Sequence, residues 1–292
     1  MAPRRLLTRR HWRSLLFVPA NNATLMAKAP RQGADALVID LEDAVPLAQK
    51  PAARIALQEH APGISAAGAD ILVRVNNNDL LGPDVDALPH ETVAVVFPGT
   101  ESVDELRALD ALLVKYEQAH GLSSGSIGIV PLIESPAALF SVHDMAAGPR
   151  VVGLALGSED FSLALGAPPS ALSLTLPAQI LCLAAAAAGV MAFAIPFSIA
   201  AYGDEIGWAD TAETAKAIGA TGGLCIHPTQ VKILNNVFLP TDAELGWAES
   251  VIAVWAQVQD SGSGIVTLDG RMIDRPVFER ALAVLKMKPG AP

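Results

Sequence analysis

The chain has 292 residues and a formal charge of −10. Half of it is hydrophobic (51%) but only 5% is aromatic, so a large core must be built from Ala, Val, Leu and Ile, as in parallel strands covered by helices on both faces. The acidic balance argues against nucleic acid as a partner. The two cysteines, Cys182 and Cys225, each sit in an apolar run without CxxC spacing, which argues against a disulfide framework and fits a reducing, cytoplasmic compartment.

Residues 1–12 carry Arg4, Arg5, Arg9 and Arg10, and Arg13 follows just before the apolar run Leu15–Val18. That run is too short for the apolar region of a leader and Pro19 closes it, so 1–12 reads as a disordered basic tail. Strands are predicted at Leu15–Pro19, Ala36–Asp40, Ile71–Val75, Val93–Phe97, Ile127–Ile133, Val151–Leu156, Met191–Ile195 and Gly223–Ile226. Each is apolar throughout rather than alternating, the pattern of strands buried on both faces. Helices are predicted between them, at Ala23–Gln32, Leu47–His60, Ser102–His120 and Thr211–Ile218. Ser102 with Glu105 makes a capping box. The stretch Ile180–Phe197 is uncharged over about a membrane-spanning length. It is mostly Ala, is divided by Gly189 and closed by Pro196, and has no flanking Lys or Arg, so a buried helix and a buried strand are expected rather than a membrane span.

Eight such units predict an α/β fold, a (β/α)8 TIM barrel, over residues 13–240. No GxGxxG follows the first strand, which counts against a dinucleotide fold. Residues 241–292 read as a C-terminal helical or lid extension. It begins with a helix at Thr241–Gln257, capped by Thr241 and Glu244, and continues through a Gly/Ser linker at 261–264. The tail Ile265–Lys288 looks too poor in apolar residues to pack alone, and reads as a lid or a subunit-exchanging arm.

The polar residues Glu42, Asp43, Arg74, Asn76, Glu134, Asp160 and His227 all lie at or just beyond predicted strand ends, on the barrel rim where active sites are built. Glu134 and Asp160 follow adjacent strands. Two carboxylates with water completing the shell suit Mg²⁺ or Mn²⁺, although Asp160 could instead only cap a helix. Arg74 ends a buried strand and must be paired, with a rim carboxylate or a substrate carboxylate. Glu42 and Asp43 could orient metal-bound water or simply begin a helix. His227 reads equally as a hydrogen-bonded core histidine or a substrate contact.

The motifs Arg13-Ser14-Leu15-Leu16-Phe17-Val18-Pro19, Asp40-Leu41-Glu42-Asp43-Ala44-Val45, Val73-Arg74-Val75-Asn76, Leu132-Ile133-Glu134-Ser135, Gly157-Ser158-Glu159-Asp160 and Cys225-Ile226-His227-Pro228-Thr229-Gln230 occur in this order. Together they resemble the citrate lyase β-subunit-like family of the HpcH/HpaI aldolase superfamily, which includes malyl-CoA and citramalyl-CoA lyases. The resemblance runs from about Arg13 to Pro276. It implies a barrel, a homotrimeric ring, Mg²⁺ dependence and cleavage of 3-hydroxyacyl-CoA thioesters such as citryl-, malyl- or citramalyl-CoA.

Carried over by residue, Glu134 and Asp160 would be the metal ligands, and Glu42 and Asp43 would support the metal's water shell. Arg74 would hold and polarise the keto-acid half, with Asn76 beside it in substrate binding. Arg13 would lie near the substrate or the CoA phosphates. Asp274 would be an acid/base working from a neighbouring subunit, although Asp before Arg275-Pro276 also suits a helix cap. Three positions depart from the family pattern: Gly99 where a Lys is usual, Ala178 where an Arg is usual and Ala194 where an Asp is usual. Two other readings therefore stay open: an aldolase acting on a free hydroxy or keto acid without CoA, and a non-catalytic subunit of a lyase complex.

Overall fold

The computed structural model describes residues 11–261 and 264–287. Most of the expected basic tail (1–10), part of the Gly/Ser linker (262–263) and residues 288–292 lie outside the described residues.

Eight parallel strands form one sheet in the order β7-β6-β5-β4-β3-β2-β1-β8. They are β1 (Ser14–Pro19), β2 (Ala36–Asp40), β3 (Asp70–Arg74), β4 (Thr92–Phe97), β5 (Gly128–Ile133), β6 (Gly153–Leu156), β7 (Met191–Phe193) and β8 (Gly223–Cys225). A parallel bridge between Phe193 and Gly222 joins the two ends of the order, and the Thr221 amide donates to the Ala192 carbonyl at 2.8 Å. The sheet is thus a barrel, as expected. Observed strand ends lie within two residues of the predicted ones, and β2 matches at both ends; where a strand is shorter than predicted, its apolar run spills past the hydrogen-bonded ladder. Val151, for example, makes only an isolated bridge to Ile129.

The barrel helices are α1 (Ala23–Lys28), α2 (Lys50–Ala66), α3 (Leu81–Asp86), α4 (Val103–Ala119), α5 (Pro136–Ala146), α6 (Ser158–Leu165), α7 (Ala171–Ala188), α8 (Glu205–Ala217) and α9 (Pro228–Val237). The Ser102–Glu105 capping box is present at the start of α4. The uncharged stretch resolves into α7, closed by Gly189 in the left-handed region, and then β7. Helix α7 is long and apolar enough to cross a membrane. It is only half-buried, however: Leu174, Ala178 and Leu181 pack inward, while Leu172, Leu176 and Leu183 are exposed. The expected buried helix is therefore corrected to one with an apolar outer stripe.

The barrel interior is filled by small aliphatics, among them Ala36, Val38, Leu72, Val96, Val130 and Ala155, with two aromatics, Trp12 and Phe193. The two rings stack at 6.4 Å, and Trp12 Nε1 donates to Asp70 at 2.7 Å. Gly153 makes room for this pair, since a Cβ there would lie 2.7 Å from the Phe193 ring. Trp12, counted in the basic tail on sequence, is instead 2% exposed and part of the core.

The chain divides into two compact units between Asn235 and Asn236, rather than between 240 and 241. The C-terminal unit holds α10 (Asp242–Ser261), an antiparallel hairpin of β9 (Val266–Leu268) and β10 (Arg271–Ile273), and α11 (Arg275–Lys286). The Thr241–Glu244 cap is formed. Ala248, Val251, Ile273 and Ala281 make a small buried core, with Trp247, Trp255 and Val277 packed on it. The tail after Gly264 is therefore not too poor in apolar residues to pack, because α10 supplies the missing half of its core.

Truncating Trp12 removes a buried aromatic and leaves Asp70 without this donor. Trp12→Ala should lower the unfolding free energy by about 3–5 kcal/mol, read by urea titration at neutral pH. A loss below about 1 kcal/mol would mean the residue is not part of the core.

Candidate active site

The C-terminal ends of the strands open into a cavity of about 760 Å³. Its wall is largely apolar, with Leu16, Phe17, Leu132, Leu156 and Leu224 from the strands. Its polar lining is mostly acidic: Asp40, Asp43, Glu134, Glu159 and Asp160. The basic side chains among its lining residues are Arg74 and Lys28.

Arg74 organises one side. It ends β3 opposite Asp40, which ends β2, in direct parallel register. Its Nε donates to Asp40 Oδ1 at 2.8 Å and its Nη2 to Asp40 Oδ2 at 2.6 Å. Nη1 lies 2.9 Å from Glu42 and 3.6 Å from Asp43. The guanidinium also covers the Phe17 ring at 4.9 Å. Burial works against this cation, but the bonds and charge of Asp40 more than offset it, and its pKa is held above the usual value. Burial pushes Glu42 up to about 7 despite the nearby Arg74 charge.

Glu134 follows β5 and Asp160 lies in the first turn of α6, after β6. The Gly99 amide donates to Glu134 Oε2 at 2.5 Å. Gly157 leaves the space that Glu134 occupies, since a Cβ there would fall 2.5 Å from its Cγ. Burial, with the charge of Asp160, pushes Glu134 up to about 7 against the Gly99 bond. Burial, then the charge of Asp43, raises Asp160 as well. These two carboxylates face a shared cavity and are short of positive charge, so their oxygens suit a hard divalent cation completed by water. Among the described residues no group of three or more His, Cys, Asp or Glu forms a fuller ligand cage. Asp160 does not act as the helix cap, because Gly157 occupies the N-cap position.

Behind the loop that follows β2 is a buried polar network. Lys50 Nζ donates to the carbonyls of Leu41 and Glu42 and to Asn76 Oδ1, at 2.7–2.8 Å. Asn76 Nδ2 donates to the Leu41 carbonyl and to Asp84, and Asp84 also accepts from Arg54.

Two expected substrate residues therefore need correction. Asn76 is buried, its amide is committed to Lys50, Leu41 and Asp84, and it does not line the cavity. Arg13 precedes β1 and so lies at the N-terminal end of the strand, away from the rim. It pairs there with Asp35 and donates to the Asn235 carbonyl. His227 stacks on Tyr202 at 4.7 Å and meets the Thr229 hydroxyl at 2.9 Å. Asp274 caps α11, accepting from the Val277 amide at 3.1 Å.

Sequence reasoning missed Asp40 as a site residue. It also missed Glu159, which lines the cavity and accepts from the Ser198 hydroxyl at 2.7 Å. Of the three departures from the family pattern, Ala178 and Ala194 are fully buried. None of the three lines the cavity, and Gly99 contributes its backbone amide to the site.

The HpcH/HpaI aldolase/citrate lyase family matches residues 13–228. The chain belongs to this family. Other members are similar along almost the whole chain. The citrate lyase subunit beta of Haemophilus influenzae is 33% identical over 282 residues, covering 94% of this chain and 96% of that protein. A (3S)-malyl-CoA thioesterase of Cereibacter sphaeroides is 28% identical and covers 90% of each. Among solved structures, the protein CitE of Mycobacterium tuberculosis in complex with magnesium, acetoacetate and coenzyme A superposes with a TM-score of 0.74, at 28% identity, covering 96% of this chain and 98% of that one. The HpcH/HpaI assignment makes the chain a carbon–carbon lyase on a TIM barrel.

The shifted carboxylates predict a pH dependence. Glu42 and Glu134 titrate near 7 when folded, against an ordinary value of 4.5. Folding thus favours their protonated forms, and the stability this contributes is complete below pH 4.5 and lost as pH rises through 7. In metal-free buffer the urea-unfolding free energy should fall across that window, and Glu134→Gln should flatten the fall. A variant profile as steep as that of the parent protein would sink the assignment.

Proposed function

We propose that this chain is a Mg²⁺-dependent lyase that cleaves, and in reverse forms, a 3-hydroxyacyl-CoA thioester of the citryl-, malyl- or citramalyl-CoA type. The observation that carries the reading is the pair Glu134 and Asp160 in one cavity with Arg74, beside apolar residues such as Leu132 and Leu156. Both residues would hold the ion, which Mn²⁺ could replace. Bound there, it would supply Lewis acidity to the oxygen that becomes the ketone. The magnesium, acetoacetate and coenzyme A named for the Mycobacterium tuberculosis protein support this choice of ion and ligands.

In this reading the protein's own groups bind, orient and exclude water. Arg74 is held in plane by Asp40 and turns its Nη1 edge to Glu42 and Asp43. A keto-acid carboxylate could replace Glu42 on that edge with a two-pronged contact. Phe17, Leu132 and Leu156 keep the reacting carbons dry. Cleavage removes a proton from the hydroxyl on C3, breaks the bond between C2 and C3, and returns a proton to C2 of the departing thioester enolate. Asp274 is the group assigned to that return, from a neighbouring subunit of a homotrimer. Its cap to Val277 is compatible with this role, since Oδ1 alone accepts that bond.

The CoA form of the substrate is favoured by size. A cavity of about 760 Å³ is far larger than a small acid fills. Leu25, Lys28 and Gln32 line it too, and Lys28 brings a cation suited to a phosphate.

Screening citryl-, malyl-, citramalyl- and methylmalyl-CoA should reveal cleavage of at least one, lost on chelation and restored by Mg²⁺. Asp160→Ala should bind Mg²⁺ at least ten-fold more weakly by calorimetry while keeping the parent circular dichroism; unchanged affinity would defeat the metal site.

Asp274→Asn keeps the cap, because Asn caps about as well as Asp, but cannot carry the proton. Mixing inactive Asp274→Asn and Glu134→Ala chains should restore part of the activity, as mixed rings hold some intact sites. No recovery after verified subunit exchange would rule out catalysis across subunits.

A further inference from the structure

The loop between β7 and α8 carries Ile199 into the lining of the cavity. The Ile199 side chain packs on the aliphatic cluster that fills the barrel. Its backbone is fastened on both sides. The amide donates to Ser158 Oγ at 3.3 Å, and the carbonyl accepts from Gln230 Nε2 at 2.8 Å. Ser158 opens α6, in the same turn as Asp160. Gln230 is fully buried, and its Oε1 accepts from the amides of Ile226 and His227. One position earlier in the loop, the Ser198 hydroxyl donates to Glu159. A side chain whose backbone is held by buried hydrogen bonds in this way yields little to a ligand.

The proposed reaction leaves one substrate group for this wall. C3 of the substrate carries four groups. Its oxygen goes to the ion at Glu134 and Asp160, its carboxylate goes to Arg74, and its bond to C2 leads to the thioester. The fourth group is hydrogen in malyl-CoA, methyl in citramalyl-CoA and carboxymethyl in citryl-CoA. The apolar lining is what remains to receive it. Leu132 and Leu156 belong to that lining but are buried strand residues. Ile199 is only partly buried, so it has more surface to offer. Among the described residues, the basic side chains lining the cavity are Arg74 and Lys28, and both are given to other parts of the substrate. A carboxymethyl group against Ile199 would be a carboxylate desolvated without a partner, which is costly.

We propose that Ile199 sets the limit on this fourth group, admitting hydrogen or methyl and turning away carboxymethyl. The acid half released is then a small 2-oxo acid without a second carboxylate. The placement of C3 rests on the lyase reading, so the test has one arm that needs no cleavage.

In that arm, calorimetry of the Mg²⁺-loaded protein should show pyruvate binding at least about ten-fold more tightly than oxaloacetate, the scale on which an apolar pocket discriminates. In the second arm, kcat/KM for citramalyl-CoA should exceed that for citryl-CoA by at least about the same factor. Ile199→Ala opens the wall and lets water reach the group, and should shrink both ratios at least about ten-fold. Ile199→Phe narrows the wall and should lower kcat/KM for citramalyl-CoA at least about ten-fold relative to malyl-CoA. If the Ala variant does not fold, Ile199→Val should shift the same ratios in the same direction by a smaller factor. Oxaloacetate binding as tightly as pyruvate overturns the proposal, as does no binding of either acid, or variants whose ratios match those of the parent protein. Should no CoA thioester be cleaved while pyruvate is still preferred and Ile199 still governs the preference, the lyase reading fails and the limit stands. Cleavage of citryl-CoA as efficient as that of citramalyl-CoA does the reverse.

Discussion

A guanidinium at the end of a strand buried on both faces has to be neutralised where it stands. In this protein that requirement is met by the residue directly across the ladder: Asp40 and Arg74 close β2 and β3 in register and form a two-pronged pair. Because both groups are fixed by backbone hydrogen bonding, the pair is a rigid edge rather than a contact between floating side chains. Glu42 and Asp43 take their places from it, since the amides of Glu42 and Ala44 donate to the same Asp40 carboxylate. Asp40, Glu42 and Asp43 are thus arranged around one cation, and Glu134 and Asp160, which line the same cavity, have no direct ion pair with it and feel only its longer-range charge.

That imbalance explains why the same barrel can hold two different kinds of carboxylate. Asp40 is nearly buried but fully matched by Arg74. Glu134 is held by a single amide, that of Gly99, and repelled by its acidic neighbours. The first kind builds structure; the second is the kind that the proposed reading gives to the cation. The difference lies in the partners, not in the residue types, and both kinds sit at the ends of strands.

Much of this was legible in the sequence. Strands buried on both faces announce themselves as unbroken apolar runs, so all eight were found and their succession indicated the barrel. The polar residues at or just beyond the ends of five of these runs indicated the rim. Asp40 was missed because an acid in an Asp-Leu-Glu-Asp motif looks like one of three equivalent groups; only the strand register singles it out. Arg13 was misplaced although the cue was present, because a residue before a strand begins at the opposite end of the barrel from one after it. Asn76 could not have been read, since its partners Lys50 and Asp84 are brought together by the fold. The outer stripe of α7 was hidden for a related reason. An uncharged, Ala-rich run shows no period to say which face meets the core. The C-terminal core was overlooked because its apolar residues are shared among α10, the hairpin and α11, and no one of them suffices alone.

Lys50 carries a wider consequence. Two of its bonds hold the loop after β2 and the third ties it to Asn76, a residue outside the cavity lining. The anchor and the working surface are therefore different sets of atoms. Side chains that face the ligand can be exchanged over evolution without unfastening the loop that presents them, while a change in the hidden anchor would loosen Glu42 and Asp43 together. A scaffold divided in this way can keep its frame and drift in the acid it accepts.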